Sequence, residues 1–332
     1  MNRVGATVAA VVMVVVALVL GPVRDWEWFR DEHSEGKGLD LVCATELADA
    51  CRNLADHSGV DVTIEDAGTT LDTLLAAPNE DAVEFDGWLA PSPFPQIVQE
   101  ERRRLALPPV LEDPGAPVGR SPLVIAVRAD QVDPLNEACA DGIDWRCLGD
   151  RVRGTSGLRV DYADPTRSAA GLLVLGQATS EYFDDRTDIS STELETDDGY
   201  LSWLGRLERQ RLSQSFSVFL TTPTFDVYGS TEADVGPVLA TASPDRREQI
   251  VLLYLEPVAT ADVVFSAVSG DRGDDLAGLA TGGRVREGLA KSGWRVDGQE
   301  RAPGVENTPA LPRTSGLPRP GLLLALRALA AE

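Results

Sequence analysis

Apolar positions along this chain follow two rhythms, and the rhythms alternate. "LDLVCA", from Leu39, is a short apolar strand. "TELADACRNLADHSG" has helical spacing, with Leu47, Ala48, Cys51, Leu54 and Ala55 on one face and Thr45 as the expected N-cap. "VDVTIED" alternates as a strand, "AGTTLDTLLAAP" is a turn and helix starting at Thr69 or Thr70, and "FDGWLAP" is a third strand. "SPLVIAVRAD" predicts a strand over Pro122 to Val127. "GLRVDYADP" is a shorter one stopped by Pro165, and a helix from about Ala169 to Phe183 follows. "DDGYLSWLGRLERQRL" is amphipathic, with Leu201, Leu204, Leu207 and Leu212 along one side. "TEADVGPVLATAS" predicts a short strand around Val235 to Ala240, and "EQIVLLYLEP" a buried one. "LAGLATGGRVREGLAKSGW" is helical with glycine interruptions, and a last helix begins near Pro320. Strands alternating with helices argue for an α/β fold, a mostly parallel sheet with helices on both faces. In such sheets ligands sit at the carboxyl ends of the strands.

The first apolar run differs from all of these. "VGATVAAVVMVVVALVLGPV", Val4 to Val23, has no charge and follows "MNR". About 20 apolar residues suffice to span a bilayer, whereas a secretory signal has a core of ~7–15 and a small-x-small cleavage site. No such site follows Leu20 and no Cys follows the run, which excludes a lipoprotein anchor. Residues 1–23 therefore read as an uncleaved single-pass anchor in preference to a cleaved signal peptide. The main domain is then extracellular, or secreted if the segment is removed. "RDWEWFRDEHSEGKG", within 24–38, reads as a linker.

Composition narrows the partners. The 332 residues carry a net charge of −23, which repels phosphate backbones and excludes nucleic acid. Four cysteines in an oxidising compartment are expected as disulfides, with three connectivities open. The local pairs Cys43–Cys51 and Cys139–Cys147 are preferred, each worth ~2.5 kcal/mol by loop closure. If a helix starts at Thr45, however, Cys51 lies almost two turns along it and the Cα atoms stand far apart for a bond. With only His33 and His57, a His/Cys metal cluster is not expected, and no cofactor motif is present. There is no Gly-x-Ser-x-Gly elbow, phosphate loop or zinc motif to support catalysis.

Several segments, in order, carry a resemblance over roughly Leu39 to Trp294. "VCATELADA" and "AGTT" are hydroxyl-bearing turns after the first two strands; "FDGWLAPS" follows as aspartate, apolar run and Ala; "SPLVIAVRAD" is a long strand. "DPTRSAAG" matches a pattern of Asp-Pro, three residues, then Pro-Ala-Gly at Asp164, Pro165, Ala170 and Gly171, with Ala169 in place of the Pro. "STEADVGPVLAT" and "KSGW" complete the set. The chain resembles the type II periplasmic solute-binding proteins, and within them the molybdate-type oxyanion binders.

The resemblance implies two α/β lobes joined by two crossover strands, "SPLVIAVRAD" and "IVLLYLEP". Lobe 1 would comprise 39–119 and 258–332, and lobe 2 would comprise 120–257. A small molecule or oxyanion would lie in the interlobe cleft, delivered to an ABC-transporter permease or another membrane protein. Carried over position by position, the ligand-binding candidates are Thr45, Thr69, Thr70, Ser92, Ser168, Ala169 and Ala170. Arg167 is an addition of this sequence, suited to a bidentate anion contact or to a surface acid such as Asp164. The threonines also suit plain helix capping, and Ser92 a structural place in a Pro-rich loop. Glu46 stands beside Thr45; if it points inward, the ligand is not a simple oxyanion. The competing expectation is a membrane-anchored interaction or envelope-assembly module that keeps the fold and has lost the cleft.

Overall fold

The alternating rhythms fold into two lobes built on a shared run of strands. The computed structural model describes residues 38–331 apart from 153–156, 269–270, 298, 300, 307 and 312–316. The expected anchor over 1–23 and nearly all of the linker lie outside the described residues. Among those described, no helix is long and apolar enough to cross a membrane.

In lobe 1, β1 (Leu39–Ala44) passes through a 3-10 turn over Thr45–Leu47 into α1 (Ala48–Ser58), β2 (Val60–Glu65), α2 (Ala67–Ala76), β3 (Gly87–Pro91) and α3 (Phe94–Arg104). β4 (Gly119–Arg128) crosses to lobe 2. There the order is α4 (Ala129–Ala138), α5 (Trp145–Arg151), β5 (Val160–Tyr162), α6 (Ala169–Tyr182), α7 (Ser191–Thr196), α8 (Asp198–Gln210), α9 (Phe216–Thr221), β6 (Val227–Thr231), α10 (Glu232–Thr241), α11 (Pro244–Arg247) and β7 (Ile250–Leu253). The chain returns along β8 (Thr260–Ala267) and adds α12 (Asp271–Ala280), α13 (Gly283–Lys291) and α14 (Pro320–Leu329).

The strand order is β2-β1-β3-β8-β4-β6-β5, with β7 also on β4. Within the lobes β1 pairs β3 and β5 pairs β6 in parallel. The shared strands bring antiparallel pairing: β3–β8, β8–β4, β4–β6 and β4–β7. Arg120 and Ser121 of β4 lie opposite β8, and Val124 to Val127 lie opposite β6, so one strand serves both lobes. In lobe 2, Phe216, Phe219, Tyr228, Val235 and Leu239 pack on Val124 and Ala126 as one apolar core.

Four sequence expectations need correction. The strand expected at Val235 to Ala240 is α10: Val235 and Leu239 are one helical turn apart and share its buried face, and Glu232 and Asp234 suit a helix start. The "IVLLYLEP" run is not the second crossover strand. β7 is four residues long and stays on β4, while residues 254–259 cross to β8, a strand the periodicity did not single out. Leu212 lies beyond the end of α8 and is 58% exposed, whereas Leu204 and Leu207 are buried. Thr45 does not cap a helix, because the chain first makes a 3-10 turn and α1 starts at Ala48 without a side-chain cap. Both local disulfides form, with Cα separations of 6.5 Å for Cys43–Cys51 and 5.9 Å for Cys139–Cys147.

A buried ion pair fastens the C-terminal segment to lobe 2. Arg295 Nε donates to Glu232 Oε1 at 3.0 Å, and both side chains are almost wholly buried. The Ala302 N–H (2.7 Å) and the Tyr254 hydroxyl (2.9 Å) donate to the same carboxylate, and Arg295 Nη1 donates to Pro309 O at 2.9 Å. Removing one partner strands the other charge in a dry site. Arg295→Met should therefore cost ~3–5 kcal/mol in a denaturant titration; a loss within experimental error would show that the pair is dispensable.

Glu181 of α6 is a second buried acid. The Trp145 N–H donates to its Oε2, while its Oε1 has no hydrogen-bond partner among the described residues. Burial raises its pKa to about 8, Asp144 and Asp185 push it the same way, and the Trp145 N–H opposes. Between the ordinary value of 4.5 and about 8 the folded state holds the extra proton, so stability falls as pH rises through that window. The loss is at most about 1.4 kcal/mol per pH unit. Glu181→Gln should flatten this slope in melts run from pH 5 to pH 8; an unchanged slope would assign it to other groups.

Candidate functional site

The turn between β5 and α6 is built from the "DPTRSAAG" stretch. Asp164 Oδ1 accepts from the Thr166 N–H at 2.9 Å and from its hydroxyl at 2.7 Å, and Asp164 O accepts from the Ser168 N–H at 2.9 Å. Ser168 is the N-cap of α6, its Oγ accepting from the Gly171 N–H at 3.1 Å. Gly171 is required by packing, since a Cβ there would lie 2.3 Å from Ala163 O. The next donor, the Ala169 N–H, goes to Glu46 Oε1 at 2.8 Å. Glu46 stands in the 3-10 turn after β1, so a carboxylate of lobe 1 sits at a helix N-terminus of lobe 2. Burial raises its pKa and Asp66 adds to the rise; the N–H groups of Ala169 and of Glu46 itself, with the Thr45 hydroxyl, act in the opposite sense.

The same flank carries a clasp between the lobes. Asp66, the N-cap of α2, accepts from Arg167 Nε at 2.7 Å and from a second guanidinium nitrogen. It also accepts from the Thr45 hydroxyl at 3.1 Å. The Gly68 N–H donates to Arg167 O at 3.2 Å. Arg327 of α14 donates to Thr166 O at 2.8 Å and holds Asp72 of α2 through two contacts of 2.7 Å. The starts of α2 and α6 thus meet directly, through groups of the chain itself.

Beside the clasp lies a cleft of about 570 Å³. Thr45, Glu46 and Asp49 line it from lobe 1, with Lys291, Ser292 and Trp294 from the segment that ends α13. Lobe 2 contributes Ala163, Ser168, Ala170, Ser213 to Ser215, Tyr228, Ser230, Thr231 and Asp234. The 212–214 loop is held by buried Asp161 of β5, which accepts from the N–H groups of Leu212 (2.9 Å), Ser213 (2.9 Å) and Gln214 (3.1 Å). Tyr228 donates its hydroxyl to Gln214 O at 2.8 Å. The Gln214 side-chain oxygen, at this wall, has no hydrogen-bond partner among the described residues. Asp234 accepts from the Ser230 hydroxyl at 2.7 Å, and burial raises its pKa against that bond. Lys291, the cleft's cation, is paired with Glu287 at 2.7 Å, and Asp49 with Arg52 at 2.8 Å. Glu46 and Asp234 are the carboxylates left facing the cleft from the two lobes.

The expected binding residues divide accordingly. Thr45, Ser168 and Ala170 line the cleft, Ala169 holds Glu46, and Arg167 is in the clasp, bound to Asp66. Thr70 donates its hydroxyl to Glu65 at 2.6 Å; the Thr69 N–H donates to Asp66 O at 2.9 Å. Ser92 is tied to β8, its Oγ accepting from the Asp262 N–H at 2.9 Å. None of these last three lines the cleft. Sequence reasoning missed the 213–215 loop, Tyr228, Ser230, Asp234 and Lys291. The available signal was Asp161, an acid inside an apolar strand, which announces a set of backbone donors nearby.

The sequence profile of the bacterial extracellular solute-binding protein family matches residues 39–295. A comparison with curated proteins finds no match. Among solved structures, a periplasmic thiamin binding protein is similar with a TM-score of 0.55 at 12% identity, covering 90% of this chain and 95% of that one. Iron-bound HitA from Pseudomonas aeruginosa is similar with a TM-score of 0.57 at 13% identity, covering 90% of this chain and 100% of that one. At such identities the likeness is one of fold.

The clasp depends on a close backbone approach at Gly68, where a Cβ would lie 1.9 Å from Thr166 O. Alanine is otherwise the better helix former, so any harm it does comes from the contact. Gly68→Ala should part the two helix starts, raising the radius of gyration in small-angle scattering and lowering the melting temperature. An unchanged scattering curve would show that the contact does not hold the lobes.

Proposed function

The chain belongs to the bacterial extracellular solute-binding protein family, and from that premise we propose that its cleft captures a small, hydroxyl- or amine-bearing cation for transfer to a membrane importer. The carrying observation is the sign of the cleft: Glu46 and Asp234 face it from opposite lobes, while its one lysine is already paired. A cation between two such carboxylates draws the lobes together and relieves their mutual repulsion. Ser213 and Ser215 supply hydroxyls able to donate, while Ser230 and Ser292, whose protons go to Asp234 and to Gly288 O, can accept. The same carboxylates argue against the oxyanion that the molybdate-type resemblance implies. A cleft of about 570 Å³ is of the size that encloses a small molecule.

The remaining parts of the reading fit this role. The apolar run over 4–23 would tether the domain at the outer face of the membrane, with 24–38 as a spacer. The two lobes, 39–119 with 258–332 and 120–257, would close about the crossing segments. The interlobe clasp is what an interaction module with a lost cleft would need, but it occupies one flank, and the cleft beside it stays open.

Thermal-shift and calorimetric titrations of the ectodomain separate these readings, using amines, amino acids, sugars, sulfate and molybdate. At least one cationic solute should raise the melting temperature, and Asp234→Asn should weaken it by ~tenfold or more, about 1.4 kcal/mol. Stabilisation by oxyanions alone would overturn the proposal.

A further inference from the structure

We infer that Glu46 is the residue that sets which sign of charge the cleft accepts: its carboxylate is a built-in anion seated at the start of α6, so a free oxyanion finds that seat taken. The inference deepens the cation-binding reading and rests on it only for the location of the cleft.

α6 runs for 14 residues, and its first N–H groups have no partner within the helix. Such a terminus attracts negative charge. Two of its donors are satisfied in different ways. The Gly171 N–H is taken by the Ser168 cap, a local and neutral group. The Ala169 N–H is taken by Glu46, 123 residues earlier in the chain and on the other lobe. A carboxylate is already bound where an anionic solute would bind. It is covalently tethered, so it competes at an effective concentration that a dissolved ion does not reach.

The sequence around the contact fits this role on both sides. A proline at position 169 would have no N–H to offer, and Ala169 restores one. Ala169 and Ala170 carry only a methyl group each, which leaves the start of the helix open to the carboxylate. The guanidinium groups near this turn are committed to other acids: Arg167 to Asp66, Arg327 to Asp72 and Arg211 to Glu208. A second anion brought to this corner would meet Glu46 and Asp66 together, with the local positive charge already used.

Sulfate titrated calorimetrically at constant ionic strength tests the inference in the wild type and three variants. The wild type should give no saturable binding. Glu46→Ala empties the seat and should bind sulfate saturably, with a Kd at least ~tenfold below the highest concentration at which the wild type shows no binding. Glu46→Gln fills the seat without charge and should fall between them. Ala169→Pro suits the first helical position, following a residue already extended, and removes the N–H while leaving Glu46 in place. It should gain no sulfate affinity, because the carboxylate remains. Saturable sulfate binding by the wild type, or a folded Glu46→Ala protein (by circular dichroism) with no gain, would overturn the inference. If Glu46→Ala fails to fold, the absence of any gain in Glu46→Gln overturns it instead. The solute panel on the wild type and the sulfate titration of the variants can fail independently, so a wrong ligand class and a wrong role for Glu46 remain distinguishable.

Discussion

Backbone hydrogen bonding along β4 serves the two lobes in turn, and the rest of the structure is arranged around that division. Gly119 to Pro122 lie opposite β8, and Leu123 to Val127 lie opposite β6, both antiparallel. Neither lobe completes its sheet without this strand, so the lobes cannot separate as independent domains. The change of partner also positions the cleft. Ser121, buried at the changeover, accepts from the Ala233 N–H at 2.8 Å and so fixes the first turn of α10. That turn carries Glu232 inward to Arg295 and Asp234 outward to the cleft. One buried hydroxyl on the shared strand thereby orients both the ion pair that holds the C-terminal segment and an acid of the binding wall.

Carboxylates do much of the positioning. The net charge of −23 reads at first as a solvated acidic surface. Several of those acids instead accept backbone N–H groups: Asp161 holds the 212–214 loop, Glu232 holds Ala302, and Glu46 holds Ala169. An ionised carboxylate accepts from several donors at once, which suits it to gathering irregular loops whose N–H groups would otherwise go unsatisfied. Burial raises the pKa of Glu46 and Asp161, and the N–H groups they accept lower it. Donor and acid are therefore mutually dependent: removing the donor makes the charge costlier, and removing the charge leaves the donor bare.

The sequence was legible where an element's identity depends on its own residues. The strands β1 to β3, the helix after β5 and the glycine-interrupted helices near the C-terminus all follow from local periodicity. It misled where neighbours decide. "VGPVLAT" holds valines, a glycine and a proline that suit a strand or a loop locally, yet Val235 and Leu239 pack together on the core as a helical face. β8 carries no clear alternation, because nearly every residue of it is buried, as a central shared strand requires. The cleft was the least legible part. Its lobe 2 wall is set by Asp161 acting across more than fifty positions, a separation that no local pattern encodes.

The "DPTRSAAG" stretch shows how far such a local pattern reaches. Its Asp-Pro turn, Ser cap and Gly171 do what they do in any strand-to-helix connection, and they identified the start of α6 correctly. Its two departures, Arg167 and Ala169, mean little when read alone. In the structure both reach lobe 1: the guanidinium to Asp66 and the restored N–H to Glu46. These departures belong to one interlobe arrangement, in which an acid beside β1 and an acid after β2 receive what the α6 turn offers. A helix terminus of this kind attracts anions by its backbone alone. What such a terminus binds is then decided elsewhere in the chain, by whether a side chain arrives first.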